Sequence, residues 1–176
     1  LLAMACIHSQ KIVHCDIKPE HFVRFPSGEL RLIDFGSAQR AGTAASSAPE
    51  HSRRYCAPEL ARAMLDERCR RGLKVQPTLD VWSVGLVLFE LFYGAPRYGD
   101  DIAYGEIASA LTARAVPLPR SRPPGLTDAH ERLLSTILVG DAAMRPTVAE
   151  VLKRSIFRRA DDTVERQRVE VRASDC

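Results

Sequence analysis

Apolar positions along this chain fall in short clusters divided by turn-forming residues, and their spacing changes from one cluster to the next. Leu1-Leu2-Ala3-Met4-Ala5-Cys6-Ile7-His8 reads as the end of an apolar helix. Phe22-Val23-Arg24-Phe25 and Leu30-Arg31-Leu32-Ile33 are apolar-rich runs with interspersed basic residues, and Pro26-Ser27-Gly28-Glu29 between them is turn-forming, which predicts a β-hairpin. Folding back carries residue 34 beside residue 21 and towards residue 16. From Pro58 to about Arg71 the pattern is helical, with Leu60, Met64 and Leu65 on one side, and residues 68–78 are expected to loop out. Residues 80–93 are apolar on nearly every face and end at Gly94, a residue suited to a left-handed cap, so they predict a buried central helix. That run is shorter and more interrupted than the roughly 20 residues a membrane span needs. A weaker amphipathic helix is expected over 102–113, then a Pro- and Arg-rich linker over 116–125. Thr127 is placed to cap a helix that turns Leu133, Leu134, Ile137 and Leu138 inward. A last short helix begins at Thr147, where Glu150 completes a capping box, and the polar tail from 160 to 176 is expected to fray.

Composition narrows the class without adding to the pattern. With 176 residues, 45% hydrophobic and 27% charged, the chain suits one globular domain with an adequate core. A net charge of +3 is too small to point to nucleic acid, and no nucleic-acid partner is expected. The five cysteines, Cys6, Cys15, Cys56, Cys69 and Cys176, are odd in number and show neither paired nor metal-ligand spacing. Reduced thiols, and with them an intracellular location in cytoplasm or nucleus, are the expectation.

The chemistry lies around the hairpin. His14-Cys15-Asp16-Ile17-Lys18-Pro19-Glu20-His21 precedes it and Asp34-Phe35-Gly36 follows it. Phosphoryl transfer to a hydroxyl needs one carboxylate to orient the attacking group and a second to hold the metal that neutralises the phosphates. The pair resembles the catalytic and metal-binding loops of eukaryotic-type protein kinases. Tyr55-Cys56-Ala57-Pro58-Glu59 resembles the element closing that family's activation segment, and Asp141-Ala142-Ala143-Met144-Arg145-Pro146-Thr147 its late Arg-Pro element. The resemblance covers residues 1–157 and leaves 158–176 as a tail. It implies an α+β, kinase-like fold: a mainly helical C-lobe with a small hairpin. The Gly-rich loop, strand Lys and helix Glu of an N-lobe do not occur in this sequence, so the chain reads as a fragment, expected to be inactive when isolated.

By this resemblance Asp16 orients the substrate hydroxyl and Lys18 lies near the transferring phosphate, the arrangement of serine/threonine kinases. Lys18, Glu20, His21 and Asp34 form the ATP side of the site, with Asp34 and His21 as ligands of Mg²⁺ or Mn²⁺. Ser52 takes the place of a substrate-loop Thr that hydrogen-bonds the catalytic Asp and Lys. His14, Phe35, Gly36, Glu59, Asp80 and Arg145 are structural positions, with a buried Glu59–Arg145 ion pair implied. The implied partners are ATP and a protein substrate, and the implied alternative to an active kinase is a pseudokinase scaffold. Three residues depart from the family pattern. His21 replaces an Asn that binds the second magnesium, Cys15 replaces an Arg that grips a phosphorylated activation loop, and His51 replaces a Gly beside Ser52. Thr43, Ser46 and Ser47 are available hydroxyls in that loop, but Cys15 offers a phosphate no charge-assisted partner.

Overall fold

The computed structural model describes residues 1–44, 49–112 and 116–157. The expected tail and the hydroxyls of Ser46 and Ser47 lie outside the described residues. Helix α1 (Leu2–Ser9) leads into a short strand β1 (Ile12–Val13) and a single 3₁₀ turn over Pro19–His21. Strands β2 (Phe22–Arg24) and β3 (Leu30–Leu32) form the antiparallel hairpin, with Phe22 opposite Leu32. The turn closes through Gly28, whose φ of +88° suits glycine. A backbone bond from Ile33 N–H to the His21 carbonyl, 2.9 Å, extends the pairing and delivers Asp34 beside His21.

A fourth strand, β4 (Gln39–Arg40), pairs antiparallel with β1. Two residues per strand carry too short an alternation to be legible in sequence. Beyond it, Gly42 N–H donates to the Val75 carbonyl and Val75 N–H to that of Thr43, at 2.8 and 3.0 Å. The segment after Gly36 is thereby stitched to the chain just before the central helix.

That central helix, α4 (Pro77–Tyr93), starts three residues earlier than expected because Pro77 supplies a preset φ at the first turn. It ends on Gly94 at φ +74°. Residues 79–86 are all buried. Leu79, Trp82, Leu86 and Phe89 join Val13, Tyr55, Leu60, Ala61 and Ile107 in one core cluster. Val81 and Val84 join Met4, Ile17, Leu133, Ile137, Val148 and Val151 in another. This two-sided burial explains why the run shows no polar stripe.

The expected helix over 58–71 is two helices, α2 (Pro58–Leu65) and α3 (Glu67–Gly72). Asp66 breaks them apart: its backbone is extended, and its side chain accepts the Arg68 N–H at 2.8 Å as an N-cap. The expected loop over 68–78 shrinks accordingly to residues 73–76. The apolar face of α2 is also corrected. Leu60, Ala61 and Ala63 are buried where α5 (Tyr104–Ser109) packs, whereas Met64 and Leu65 are exposed. Helix α5 continues as a 3₁₀ turn to Thr112. Helix α6 (Asp128–Ile137) begins at Thr127, whose N–H donates to His130 Nδ1 at 3.1 Å, and buries Leu133, Leu134 and Ile137. Helix α7 (Val148–Leu152) carries the Thr147/Glu150 capping box. Among the described residues no helix is long and apolar enough to cross a membrane.

Two contacts fix how these helices sit. Arg145 is buried, donates from Nη1 and Nη2 to the Glu59 carboxylate at 2.7 and 2.8 Å, and also reaches the carbonyls of Val139, Thr78 and Gly140. Its guanidinium lies 4.9 Å from the Trp82 ring centroid. Gly85 lets α4 and α6 approach, since a Cβ there would meet Ile137 Cγ2 at 2.5 Å and Leu138 Cδ2 at 2.8 Å. Both neighbours are fully buried. Gly85→Ala is accordingly expected to lower unfolding free energy by about 1–3 kcal/mol, the usual cost of overpacking. Glu59→Ala, which strands the buried Arg145 charge, is expected to cost about 3–5 kcal/mol. Chemical denaturation of both variants checks these values.

Candidate active site

The loop after β1 is shaped by a carboxylate from α4. Asp80 is 1% exposed. Its Oδ2 accepts the His14 N–H and its Oδ1 the Cys15 N–H, each at 2.8 Å, while His8 Nε2 contacts Oδ2 at 2.8 Å. Cys15 holds φ at +69°, a left-handed conformation that costs a non-glycine residue about 1–3 kcal/mol. Two charge-assisted bonds flanking that peptide offset the strain. The reversal they enforce sets the direction of the next residue, Asp16.

Asp16 then meets two partners. Ser52 N–H donates to Oδ1 at 2.7 Å, and Lys18 Nζ lies 3.1 Å from Oδ2. Lys18 Nζ also donates to Ser52 Oγ at 3.0 Å, closing a triangle of Asp16, Lys18 and Ser52. Partial burial pushes the Asp16 carboxyl up, but the hydrogen bonds from Ser52 and Lys18 and the lysine charge outweigh it and hold it below the usual carboxylate range. The result is a carboxylate ionised at neutral pH, with a cation beside it.

Two histidines couple this triangle to Asp34. His14 Nε2 lies 3.1 Å from the Ile33 carbonyl, so this nitrogen carries the proton, and the Nδ1 accepts the Asp16 N–H at 3.4 Å. Its ring packs on Phe35 at 4.9 Å and near His21 at 5.6 Å. His21 is buried, with Nδ1 2.7 Å from the Asp16 carbonyl oxygen and Nε2 3.2 Å from Asp34 Oδ2. Asp34 itself has φ +64°, is half exposed, and accepts the Gly36 N–H at 3.3 Å. A Cβ at Gly36 would come within 3.2 Å of Asp34 Oδ1, so glycine keeps that turn tight.

Asp16, Lys18, His21, Asp34 and Ser52 therefore converge, with His14, Phe35, Gly36 and Asp80 behind them. Glu20 does not join: it is exposed and makes no side-chain hydrogen bond among the described residues. Glu59 and Arg145 stand apart, in their own ion pair. The Cys15 thiol is buried, and burial together with Asp80 pushes it up to about 12, so it stays neutral, and a thiol in any case has no positive charge to offer the activation segment. Thr43 is exposed and donates its hydroxyl to the Arg40 carbonyl at 2.7 Å.

The sequence gives no sign of what holds the substrate loop. His51 Nδ1 pairs with the Pro49 carbonyl at 2.7 Å and its Nε2 with the Tyr104 hydroxyl at 3.2 Å, while Arg53 lies over the Tyr104 ring. Arg54 donates to the Tyr98 carbonyl and the Asp100 carboxylate, at 3.1 and 2.6 Å. Apart from Pro49, these partners lie 44 to 53 residues away and follow no motif.

With carboxylate, lysine and second carboxylate brought together, comparison with known proteins decides the family. The protein kinase domain model matches residues 1–157. This chain belongs to the protein kinase family. Similar proteins include the serine/threonine-protein kinase Genghis Khan of Drosophila melanogaster, 31% identical over 144 residues, which are 78% of this chain and 9% of that protein. Serine/threonine-protein kinase MRCK alpha of Homo sapiens is 35% identical over 113 residues, 61% of this chain and 6% of that protein. Serine/threonine-protein kinase mrck-1 of Caenorhabditis elegans is 36% identical over 115 residues, 62% and 7% respectively. The chain thus spans less than a tenth of the length of these relatives. Its described portion has the α+β, mainly helical architecture of a kinase C-lobe, with the hairpin carrying the kinase loops.

The Asp16 environment makes a pH prediction. A carboxyl held below its ordinary value stabilises the fold fully above about pH 4, the unfolded-state value, and this contribution disappears as pH falls through the lower folded value. In Asp16→Asn the stability curve between about pH 4 and 2 is expected to be flatter than in wild type. Urea melts across that range read the difference.

Proposed function

We propose that this protein kinase chain acts on serine and threonine hydroxyls of protein substrates, using ATP as donor. The observation that carries the reading is the Asp16–Lys18–Ser52 triangle set beside Asp34. Asp16, kept ionised, accepts a hydrogen bond from the substrate hydroxyl and aims its oxygen at the γ-phosphorus. Lys18 has protons to spare for the oxygens of the transferring group once substrate enters, and Ser52 keeps both side chains in register. Asp34, half exposed, faces the phosphates. The divalent metal that the family implies would supply charge neutralisation across the β- and γ-phosphates, with Asp34 and His21 as its protein donors. Relatives named as serine/threonine-protein kinases support the choice of hydroxyl. Such nucleotide use, with Cys15, Cys56 and Cys69 outside any disulfide, supports an intracellular setting.

Catalysis of this kind is mostly positioning and electrostatics, so removing the orienting carboxylate should act on turnover more than on binding. In the intact natural protein, Asp16→Asn is expected to lower kcat for transfer from radiolabelled ATP to a serine/threonine protein substrate by roughly 10²- to 10⁴-fold, with KM for ATP little changed. Undiminished transfer would overturn the assignment. ATP binding without any Asp16-dependent transfer would instead assign the chain to a scaffold.

A further inference from the structure

The loop beside the catalytic carboxylate carries one cation whose charge is not spent inside the protein. Ser52 N–H donates to Asp16 Oδ1 at 2.7 Å, so a hydroxyl held by that carboxylate lies beside this loop. Two steps of extended peptide cover about 7 Å, which keeps the neighbours of the target residue within reach of the side chains flanking Ser52. The cations there have different fates. Lys18 is engaged by Asp16 and Ser52, at 3.1 and 3.0 Å. Arg54 donates to the Tyr98 carbonyl and pairs with Asp100 at 2.6 Å. Arg53 is exposed, reaches the Ile102 carbonyl from Nη1 only at a long 3.5 Å, and forms no ion pair among the described residues. What fixes it is the Tyr104 ring, whose centroid lies 4.9 Å from the guanidinium carbon. A guanidinium laid on an aromatic face keeps its N–H donors in its own plane, where their edge matches a planar carboxylate. The Tyr104 hydroxyl is in turn tied to His51 Nε2 at 3.2 Å, so the ring under Arg53 is anchored to the residue on the other side of Ser52. The cation is therefore held in place before substrate arrives, and less side-chain freedom is lost when an anion meets it.

We propose that Arg53 selects protein substrates that carry an aspartate or glutamate within two residues of the target serine or threonine. The carboxylate meets the guanidinium donors that the Ile102 carbonyl leaves unused, in a charge-assisted pair. A lysine or arginine at the same place meets an unpaired like charge and is rejected. The inference rests on the proposed transfer to protein hydroxyls, and it adds the kind of sequence that is chosen.

The test is phosphorylation, by the intact natural protein, of serine peptides that differ in a single residue. Glu, Gln or Lys is placed in turn at each of the two positions before and the two after the serine, and relative kcat/KM is read with radiolabelled ATP. At one of these positions wild type is expected to prefer Glu over Gln by about fivefold, the upper end of what a solvent-screened pair is worth, and to use Lys least. The preference should weaken as salt is raised. Arg53→Glu should invert it, favouring Lys at the same position. Arg53→Lys, which keeps the charge and loses the fork, should retain part of it and serves if the Glu variant does not fold. A merely structural role for Arg53 would slow all peptides alike and leave their ratios unchanged. Equal use of the Glu, Gln and Lys peptides by wild type, or a Glu preference that survives in Arg53→Glu, would overturn the proposal and leave hydroxyl transfer standing. If wild type phosphorylated neither peptides nor proteins, the reading of the chain as an active kinase would fail, and this inference with it.

Discussion

The buried carboxylate of Asp80 is the constraint on which the site depends. A carboxylate removed from water is costly unless its lone pairs are filled, and here the partners come from the loop that carries the catalytic residues. The His14 and Cys15 amides fill two of its lone-pair directions at 2.8 Å and the His8 ring meets a third. In satisfying Asp80 the loop is forced into the left-handed turn at Cys15, and that turn decides where Asp16 points. Because Asp80 sits in the first turn of the most deeply packed helix, the geometry of the loop inherits the rigidity of the core.

The two functional carboxylates are given opposite surroundings by the same short stretch of chain. Asp16 is enclosed and saturated, with an amide, a hydroxyl and an ammonium group holding it ionised. Asp34 sits on a positive-φ hinge at the end of the hairpin, open to solvent on one side and bounded by His21 on the other. The histidine pair links them: His14 spans from the Asp16 amide to the Ile33 carbonyl, and His21 from the Asp16 carbonyl to Asp34. Of these, the His14–Ile33 and His21–Asp34 contacts cross from the catalytic loop to the end of the hairpin, and a shift of the hairpin would break both, so the two carboxylates keep a fixed relation.

Around this centre the substrate loop is held by contacts that differ in kind from the core. Ser52 touches the catalytic carboxylate directly. His51, Arg53 and Arg54 fasten the loop outward to Tyr104, Ile102, Tyr98 and Asp100 through a ring contact, carbonyls and one exposed ion pair. Exposed ion pairs are worth little in stability. Their use here lies in orientation, since they fix which way the loop faces without adding much to the fold.

The sequence by itself determined the elements whose signal is local. The hairpin follows from two apolar runs around Pro26–Glu29, the central helix from its unbroken apolar run and Gly94, and the last helix from Thr147 and Glu150, because turn chemistry and caps act within a few residues. The hairpin also dictated that Asp34 returns to His21. What the tertiary structure decided was whatever depends on a distant partner. Asp66 is a local exception that periodicity misses: its side chain caps the next helix through the Arg68 amide two residues on. Met64 and Leu65 went outward because α5 covers the alanine side of α2, and apolarity alone does not say which side a neighbour will take. The strand pair Ile12–Val13 with Gln39–Arg40 and the anchoring of Arg54 join residues 26 to 46 positions apart. Local propensity carries no information at such separations; only the closing of the chain around Asp80 and the α4 core sets them.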